Sequence, residues 1–355
     1  MSSKKDNPRD VLFFPSGSIG DALMMLALCA EIHDLEPERR FVVIARRNAG
    51  LIADMAAAYP CVTVVPIEKS LRGILTLVWQ SFRRPVIALM PAVFGKSWFL
   101  NTGVLFYLLS MRPGTQTFGL IERATDRHPY RKGIAYDKSS IHFENMRNMA
   151  RAAGLSVRAS GAPLSFCFAT LPATHVPFAE GSYVVFHPFG SSSWKSFPPR
   201  RMHDLIARFL ELHQGYSAVI TGGAENQAEA ESIAAQLPPS RVALAINLPI
   251  REAAGVIDRA ALYVGVDTGT THVASVMGGP VVALEHNASP EWLPTYDAQA
   301  VILNNPTHCQ CHGRKNDVCK IVVDGKPYLR CLYEISDETI LGAIARILAS
   351  RTIQK

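Results

Sequence analysis

Several features that would assign a protein to a special class are missing from this chain of 355 residues. Its longest apolar stretch, Trp98–Met111, has 14 residues, whereas a helix that spans a bilayer needs about 20. No apolar segment follows the polar N-terminus, so we predict no secretory signal. The composition also excludes a disordered chain, a collagen-like repeat and a disulfide-stapled miniprotein.

Charge is modest as well. Charged residues make up 19% of the chain, and 36 basic and 30 acidic residues leave a net charge of +6. The basic residues are scattered and do not alternate with aromatics, so we predict no nucleic-acid binding. An anionic small substrate and an anionic membrane surface would both suit this charge. The stretch Trp98–Met111 is either a buried helix or a surface that rests on a membrane or a lipid-linked acceptor.

What the chain has is the alternation typical of a parallel sheet covered by helices. In each half of the chain, short apolar runs alternate with longer helical patterns. The first such run is Val11–Phe14 in the first half and Tyr183–His187 in the second. A proline-rich stretch without helical periodicity separates the halves. We predict an α/β protein with an N-terminal domain (1–165), a linker (166–181), a C-terminal domain (182–335) and a final helix (336–355) that packs back on the N-terminal domain.

Three loops that follow predicted strands carry candidate functional residues, because ligands bind at the carboxyl ends of parallel strands. In the first, Asp21 follows Gly17 and Gly20 at a helix start. It either complements the helix dipole or acts as a general base. The spacing is not Gly-x-Gly-x-x-Gly, which disfavours a dinucleotide site.

The second and third loops belong to the second half of the chain. His187–Lys195 contains a glycine, three serines and a lysine, and it is either a phosphate-binding loop or a polar turn. Asp267–His272 begins a Gly/Thr-rich helix, whose free N–H groups favour anions, although plain capping would also explain it. Together the loops predict a nucleotide-linked substrate in the second domain, facing a base in the first.

These motifs resemble glycosyltransferase family 9, the ADP-heptose:lipopolysaccharide heptosyltransferases. The resemblance covers about residues 11 to 348. It is carried by four segments in the family's order: Ser18-Ile19-Gly20-Asp21, His187–Lys195 with Phe197-Pro198-Pro199-Arg200, Thr221-Gly222-Gly223, and Asp267-Thr268-Gly269-Thr270-Thr271-His272 with Gly279–Leu284.

The resemblance implies a GT-B architecture, in which two Rossmann-like doubly wound domains flank an active-site cleft. It also implies an inverting, metal-independent transfer of a sugar, with no cofactor required. Asp21 would be the catalytic base, and Lys195 would stabilise the leaving group. By position, Ser191 and Lys195 would bind the donor diphosphate. Thr268, Gly269 and Thr270 would bind the same diphosphate through their N–H groups. Asp267 and His272 would shape the donor pocket, and Glu225 would bind a ribose hydroxyl. Ser18 and Gly20 would form the acceptor-side loop. The family's basic acceptor-binding positions have no clear counterpart, and Arg46, which follows the second predicted strand, either serves an anionic acceptor on this side or is a solvated surface residue.

The chain departs from the family pattern in three places. Phe189 stands within the family's Asn-Pro-Gly segment, and Ser196-Phe197 displace the tryptophan expected after Lys195. Glu285-His286-Asn287-Ala288-Ser289 replaces the family's Phe-Gly-Pro-Thr, in a loop that the resemblance puts near the donor sugar.

Seven cysteines are present. We expect Cys29, Cys61 and Cys167 to be core residues. Cys309, Cys311, Cys319 and Cys331 form a cluster, with His308 and His312 nearby. Their Cys-x-Cys spacing is not the usual Cys-x2-Cys, so they either hold a structural metal or are free.

The resemblance therefore implies a cytoplasmic glycosyltransferase, peripheral to the inner membrane, with an ADP-sugar donor, most simply ADP-heptose. The acceptor would be a lipopolysaccharide core, another glycolipid or oligosaccharide, or a protein. Three alternatives stay open: a non-catalytic protein that binds a nucleotide sugar, a transferase with another nucleotide sugar, and an epimerase of the same fold that needs no acceptor.

Overall fold

The computed structural model describes residues 10–14, 18–45, 48–66, 86–91, 104–122, 128–164, 166–172, 176–286, 292–294, 296, 300–305 and 320–352. These residues form two compact units, Met1–Ala169 and Thr170–Lys355. The boundary between the units falls within the stretch 166–181, which the sequence marks as a linker.

A six-stranded parallel sheet forms the centre of the first unit. Its strands are β1 (Asp10–Phe13), β2 (Arg40–Ala45), β3 (Val62–Pro66), β4 (Val86–Met90), β5 (Gln116–Ile121) and β6 (Lys132–Ala135). The order across the sheet is β3-β2-β1-β4-β5-β6, which is the Rossmann order. All five residues of β4 are buried, as expected for a strand with both faces covered.

Four helices in the described part of the first unit connect or cover these strands: α1 (Ile19–Leu35), α2 (Ala49–Ala56), α3 (Val104–Ser110) and α4 (His142–Ala152). On α3, Phe106 and Leu109 are buried, whereas Tyr107 is 57% exposed. The described part of Trp98–Met111 is thus a helix with one buried face. Residues 98–103 lie outside the described residues.

A buried ion-pair network joins α1 to α4. Arg147 on α4 is fully buried and donates to both carboxylate oxygens of Glu31 on α1, with a shortest distance of 2.6 Å. It also donates to Glu144 at 2.6 Å and to the carbonyl oxygen of Ala162 at 2.8 Å. This arginine therefore holds together two helices and the segment that follows them.

The second unit repeats the Rossmann topology. Its sheet contains β7 (Tyr183–His187), β8 (Ser217–Gly222), β9 (Val242–Ile246), β10 (Leu262–Val266), β11 (Val281–Leu284) and β12 (Ala300–Leu303). The order β12-β11-β10-β7-β8-β9 corresponds to that of the first sheet, and all neighbouring strands are parallel. A separate antiparallel hairpin consists of β13 (Lys320–Val323) and β14 (Lys326–Leu329).

The helices of the second unit cover this sheet. They are α5 (Pro199–Leu212), α6 (Gln227–Ala234), α7 (Ile250–Asp258), α8 (Gly269–Val276), α9 (Arg330–Tyr333) and α10 (Asp337–Thr352). We expected the last helix to pack on the N-terminal domain. Instead Ile340, Ala343 and Ile344 of α10 are completely buried in the core of the second unit, because its apolar stripe covers β10, β11 and β12.

The three cysteines that we expect in the core differ in how deeply they are buried. Cys29 is buried in α1, as expected, and Cys61 is half-buried. Cys167 is exposed, so the prediction that it is a core residue is wrong. It lies after the last helix of the first unit, where its backbone N–H donates to the hydroxyl of Tyr59 at 2.8 Å. No helix among the described residues is long and apolar enough to cross a membrane.

The two sheets place the predicted loops at their switch points. Strand order reverses between β1 and β4 in the first sheet, and between β7 and β10 in the second. Ligands bind at such reversals, outside the carboxyl ends of the strands. The loop that leads to Asp21 follows β1, and the loops that contain Lys195 and Asp267 follow β7 and β10.

Candidate functional site

The loop after β7 is built on two buried aromatic rings. Phe189 and Phe197 are 3% and 0% exposed, and the N–H of Phe197 donates to the carbonyl oxygen of Pro188 at 2.7 Å. These are two of the positions where the sequence departs from the family pattern. Both rings fill the core of the second unit and so anchor the loop.

Glycine is required at position 190 of this loop. A Cβ there would lie 2.6 Å from Cβ of Lys195 and 2.8 Å from its carbonyl carbon. The N–H of Gly190 donates to the hydroxyl of Ser196 at 2.9 Å, which closes the loop on itself. The loop ends in a short 3-10 turn, Ser193–Lys195, and so presents Lys195 on a rigid support.

Lys195 points toward Asp267, which directly follows β10. Its Nζ lies 3.5 Å from Oδ2 of Asp267 and 5.6 Å from the centre of the Trp194 ring. The Lys195 side chain is 25% exposed, so its ammonium group remains accessible to a ligand. The structure thereby brings together two of the predicted donor-site residues from separate loops.

Two histidines face the same carboxylate. Nε2 of His286 lies 3.4 Å from Oδ2 of Asp267, and Nε2 of His272 lies 3.9 Å from its Oδ1. Burial lowers the pKa of both imidazoles, although the charge of Asp267 opposes the shift. Both rings are therefore neutral at physiological pH, and each offers one donor and one acceptor nitrogen.

Glu285 is the residue at this site that the sequence reasoning did not use. It follows β11, is 0% exposed, and neither carboxyl oxygen has a hydrogen-bond partner among the described residues. Burial raises the pKa of this carboxyl well above its usual range, and the charge of Asp267 adds to the shift while Lys195 opposes it. The register of the sheet brings it beside the predicted residues, because Val266 is opposite Leu284 and the next residues are Asp267 and Glu285.

A hydroxyl network supports the start of α8. The hydroxyl of Thr270 lies 2.8 Å from that of Thr268 and 3.0 Å from that of Tyr263. Burial raises the pKa of Tyr263 to about 12, so its hydroxyl stays protonated. The Thr268 side chain does not cap the helix, so it leaves the N–H groups of the first turn, including that of Gly269, for an anion.

The end of β7 is tied to β8 by a neutral histidine. Nδ1 of His187 lies 3.0 Å from the hydroxyl of Thr221, and burial lowers the pKa of this histidine to about 4. Beyond β8, Glu225 is exposed on a short 3-10 turn, with its carboxylate against Gly223. Glu225 is therefore open to a ligand and separate from the cluster around Asp267.

A sequence comparison identifies the family. The model of "Glycosyltransferase family 9 (heptosyltransferase)" matches residues 130–322, more than half of the chain. The chain belongs to glycosyltransferase family 9. A curated relative, lipooligosaccharide heptosyltransferase 2 of Haemophilus influenzae, is 29% identical over 155 residues. That match covers 42% of this chain and only 43% of the relative's length.

Solved structures of family 9 proteins have the same fold. The E. coli ADP-heptose lipopolysaccharide heptosyltransferase II is 17% identical, with a TM-score of 0.69 over 97% of this chain and 99% of that one. The family 9 protein from Veillonella parvula is also 17% identical, with a TM-score of 0.73 over 99% of this chain and 100% of that one. The predicted α/β fold with two Rossmann-like sheets of the GT-B type is confirmed.

In the first unit, the segment Ser18-Ile19-Gly20-Asp21, which resembles a family 9 motif, forms the start of α1. The hydroxyl of Ser18 accepts a hydrogen bond from the N–H of Asp21 at 3.1 Å and so caps the helix. Burial raises the pKa of Asp21, although the hydrogen bond with Ser18 opposes the shift. Gly20 is buried beside Asp21. Arg46, the third predicted acceptor-side residue, lies outside the described residues.

The remaining predicted residues have mixed outcomes. Ser191 is exposed on the loop after β7, where its hydroxyl is open to a ligand. Cys331 is buried in the core of the second unit. Cys309, Cys311 and Cys319 lie outside the described residues, so a structural metal at the cysteine cluster stays a prediction.

Proposed function

We propose that this family 9 protein transfers a sugar from an ADP-linked donor, most simply ADP-heptose, to an acceptor hydroxyl with inversion at the anomeric carbon. The observation that carries the proposal is the approach of Lys195 to Asp267 at the start of α8, at the switch point of the second sheet. The E. coli protein of the same fold is an ADP-heptose lipopolysaccharide heptosyltransferase, which supports the same chemistry here.

The donor diphosphate binds at the start of α8. The N–H groups of Gly269 and Thr270 and the positive end of the helix dipole attract its oxygens. Lys195 adds a full positive charge, and the hydroxyls of Ser191 and Thr268 supply further hydrogen bonds. As the bond between the anomeric carbon and the diphosphate breaks, negative charge grows on the leaving oxygen. The fixed positive groups stabilise that charge without requiring a metal ion.

The rest of the donor is recognised by the neighbouring polar side chains. Asp267 and His272 bind sugar hydroxyls, since a carboxylate accepts and a neutral imidazole both donates and accepts hydrogen bonds. Glu225, exposed beyond β8, accepts from a ribose hydroxyl of the nucleotide.

Asp21 is the general base. Its raised pKa makes the ionised side chain a stronger base than an ordinary aspartate. In the step that we propose, the acceptor oxygen attacks the anomeric carbon, its proton passes to Asp21, and the nucleoside diphosphate leaves from the opposite face. The acceptor is a lipopolysaccharide core, or a related glycolipid, oligosaccharide or protein, reached in the cytoplasm at the inner membrane.

Replacing Asp21 tests this assignment. Asp21→Asn keeps the size of the side chain and removes the base, so we expect turnover to fall about 10²- to 10⁴-fold. Binding of ADP, measured by calorimetry, should be unchanged because the donor residues belong to the second unit. Asp34→Asn is the matched control, since Asp34 is an exposed carboxylate on the same helix.

The outcomes separate the competing functions. Turnover that survives Asp21→Asn would refute Asp21 as the base. A wild-type protein that binds ADP but transfers no sugar to any acceptor would instead be a non-catalytic nucleotide-sugar-binding protein. Conversion of the donor sugar without an acceptor would identify an epimerase.

A further inference from the structure

Glu285 presents a problem that the proposed transfer does not resolve. Its carboxyl group lies at the end of the apolar strand β11 and is 0% exposed, yet both oxygens lack a hydrogen-bond partner among the described residues. Buried carboxylates in proteins are paired with a positive group or coordinate a metal ion, because burying an unpaired charge is costly. Such a carboxyl group either keeps its proton or is neutralised by a bound cation.

The neighbours of Glu285 supply the remaining atoms of a cation site. One ligand atom each from Glu285, Asp267 and His286 lies within 4.8 Å of the other two. Asp267 and Glu285 leave adjacent parallel strands side by side, and His286 follows Glu285 in the chain. Two oxygens and one imidazole nitrogen converge from two rigid strand ends, which is the support that a metal site needs.

Charge favours a cation at this position. Within the described ranges, Lys195 brings an ammonium group to the trio, with Nζ 3.5 Å from Oδ2 of Asp267. With Glu285 ionised by the binding of a cation, the two carboxylates carry one more negative charge than Lys195 balances. The separation of 3.5 Å is also longer than a good charge-assisted hydrogen bond, so Lys195 does not saturate Asp267.

We propose that Asp267, Glu285 and His286 bind a divalent first-row metal ion of the Mn²⁺ type. Carboxylate oxygens suit Mn²⁺, and imidazole is a good ligand for ions of this series. Water or ligand oxygens would complete the coordination shell. None of its three protein ligands is a thiolate, which would select softer ions. The proposal concerns the protein without its donor, because Asp267 also belongs to the proposed donor site, and it does not depend on the transfer reaction.

Binding of Mn²⁺ by the full chain is measured by electron paramagnetic resonance, in which the signal of the free aqueous ion falls as it binds. The wild-type protein should bind one Mn²⁺. Glu285→Gln should weaken binding at least about tenfold, because it removes one charged ligand but keeps the shape. Glu229→Gln is the matched control, since Glu229 pairs with Lys326 away from the trio, and it should bind as the wild type does.

Two more variants keep the test decisive. His286→Ala removes a half-buried ligand and serves if Glu285→Gln fails to fold by circular dichroism. Lys195→Met should tighten Mn²⁺ binding, because the ammonium group competes for Asp267. The proposal is overturned if the wild type binds no Mn²⁺ at millimolar concentration, or if binding survives both ligand variants. An unchanged affinity in Lys195→Met would also overturn it, since the ion would then not lie beside Asp267.

Discussion

Loss of the Arg147 side chain should destabilise the first unit more than any surface change. Arg147 is 0% exposed and donates to Glu31 and Glu144, whose side chains are 4% and 10% exposed. It also lies over the ring of Phe143, with its guanidinium carbon 4.5 Å from the ring centre. Arg147→Met fills most of the volume but leaves two buried carboxylates without their positive partner.

The expected cost follows from that burial. Removing one partner of a buried ion pair costs about 3–5 kcal/mol, because the remaining charge is uncompensated. Some of the cost is recovered here, since Glu144 also accepts from the N–H of Gly161 at 3.0 Å and Glu31 from the N–H of Arg158 at 2.7 Å. We therefore expect a loss of about 3 kcal/mol, at the lower end of that range.

Urea unfolding combined with hydrogen exchange measures this loss, because exchange resolves the amides of α1 and α4 from those of the second unit. Arg158→Met is the control. Arg158 pairs with Asp34, and their side chains are 39% and 60% exposed, so we expect a change below about 1 kcal/mol. The triple variant that also neutralises both carboxylates, Arg147→Met with Glu31→Gln and Glu144→Gln, should recover stability. Equal effects of Arg147→Met and Arg158→Met would refute the reasoning.

Three further predictions concern the candidate site. Lys195→Met should weaken ADP binding by about 1.5–3 kcal/mol, or about 10- to 150-fold, because it removes a charge-assisted hydrogen bond. Calorimetry measures the affinity, and an unchanged affinity would exclude Lys195 from the diphosphate site. Burial raises the pKa of Asp21, so kcat/KM should fall with decreasing pH around a midpoint above the ordinary aspartate pKa of about 3.9. A midpoint at or below that value would contradict the assignment of Asp21 as the base. His187 has a pKa of about 4 in the folded protein against 6.5 unfolded, so only the unfolded state gains its proton between these values. As the pH falls from 6.5 to 4, the second unit should therefore lose about 3 kcal/mol of stability. Thermal unfolding at both pH values measures this loss, and His187→Asn should abolish it.

Much of the fold could be predicted because each Rossmann sheet leaves a strong signal. Strands such as β4 and β7 are continuous apolar runs bounded by polar turns, so their positions follow from the sequence alone. Six strands were not predicted: β5, β6, β9, β12, β13 and β14. β6 and β9 are only partly buried, and an exposed or half-buried strand at the edge of a sheet does not produce a continuous apolar run. The position of α10 also escaped prediction, because an amphipathic pattern does not specify which surface it covers.

The sequence predicts the loops of the candidate site but not the buried carboxyl group of Glu285 between them. Lys195 and Asp267 follow strands and carry the residue types that anions require. Glu285 belongs to no such motif, and it is 18 positions from Asp267 in the chain. Only the register of β10 with β11 makes them neighbours. Such a contact depends on strand pairing, which a single sequence does not specify residue by residue.

The identity of the nucleotide tests the central claim most directly. We would titrate ADP, UDP, GDP and CMP into the wild-type protein by calorimetry under identical conditions. The account predicts that ADP binds most tightly, at one site per chain. Tighter binding of UDP or GDP would contradict an ADP-heptose donor while leaving the fold unaffected, and no binding of any nucleotide would contradict the proposed transfer itself.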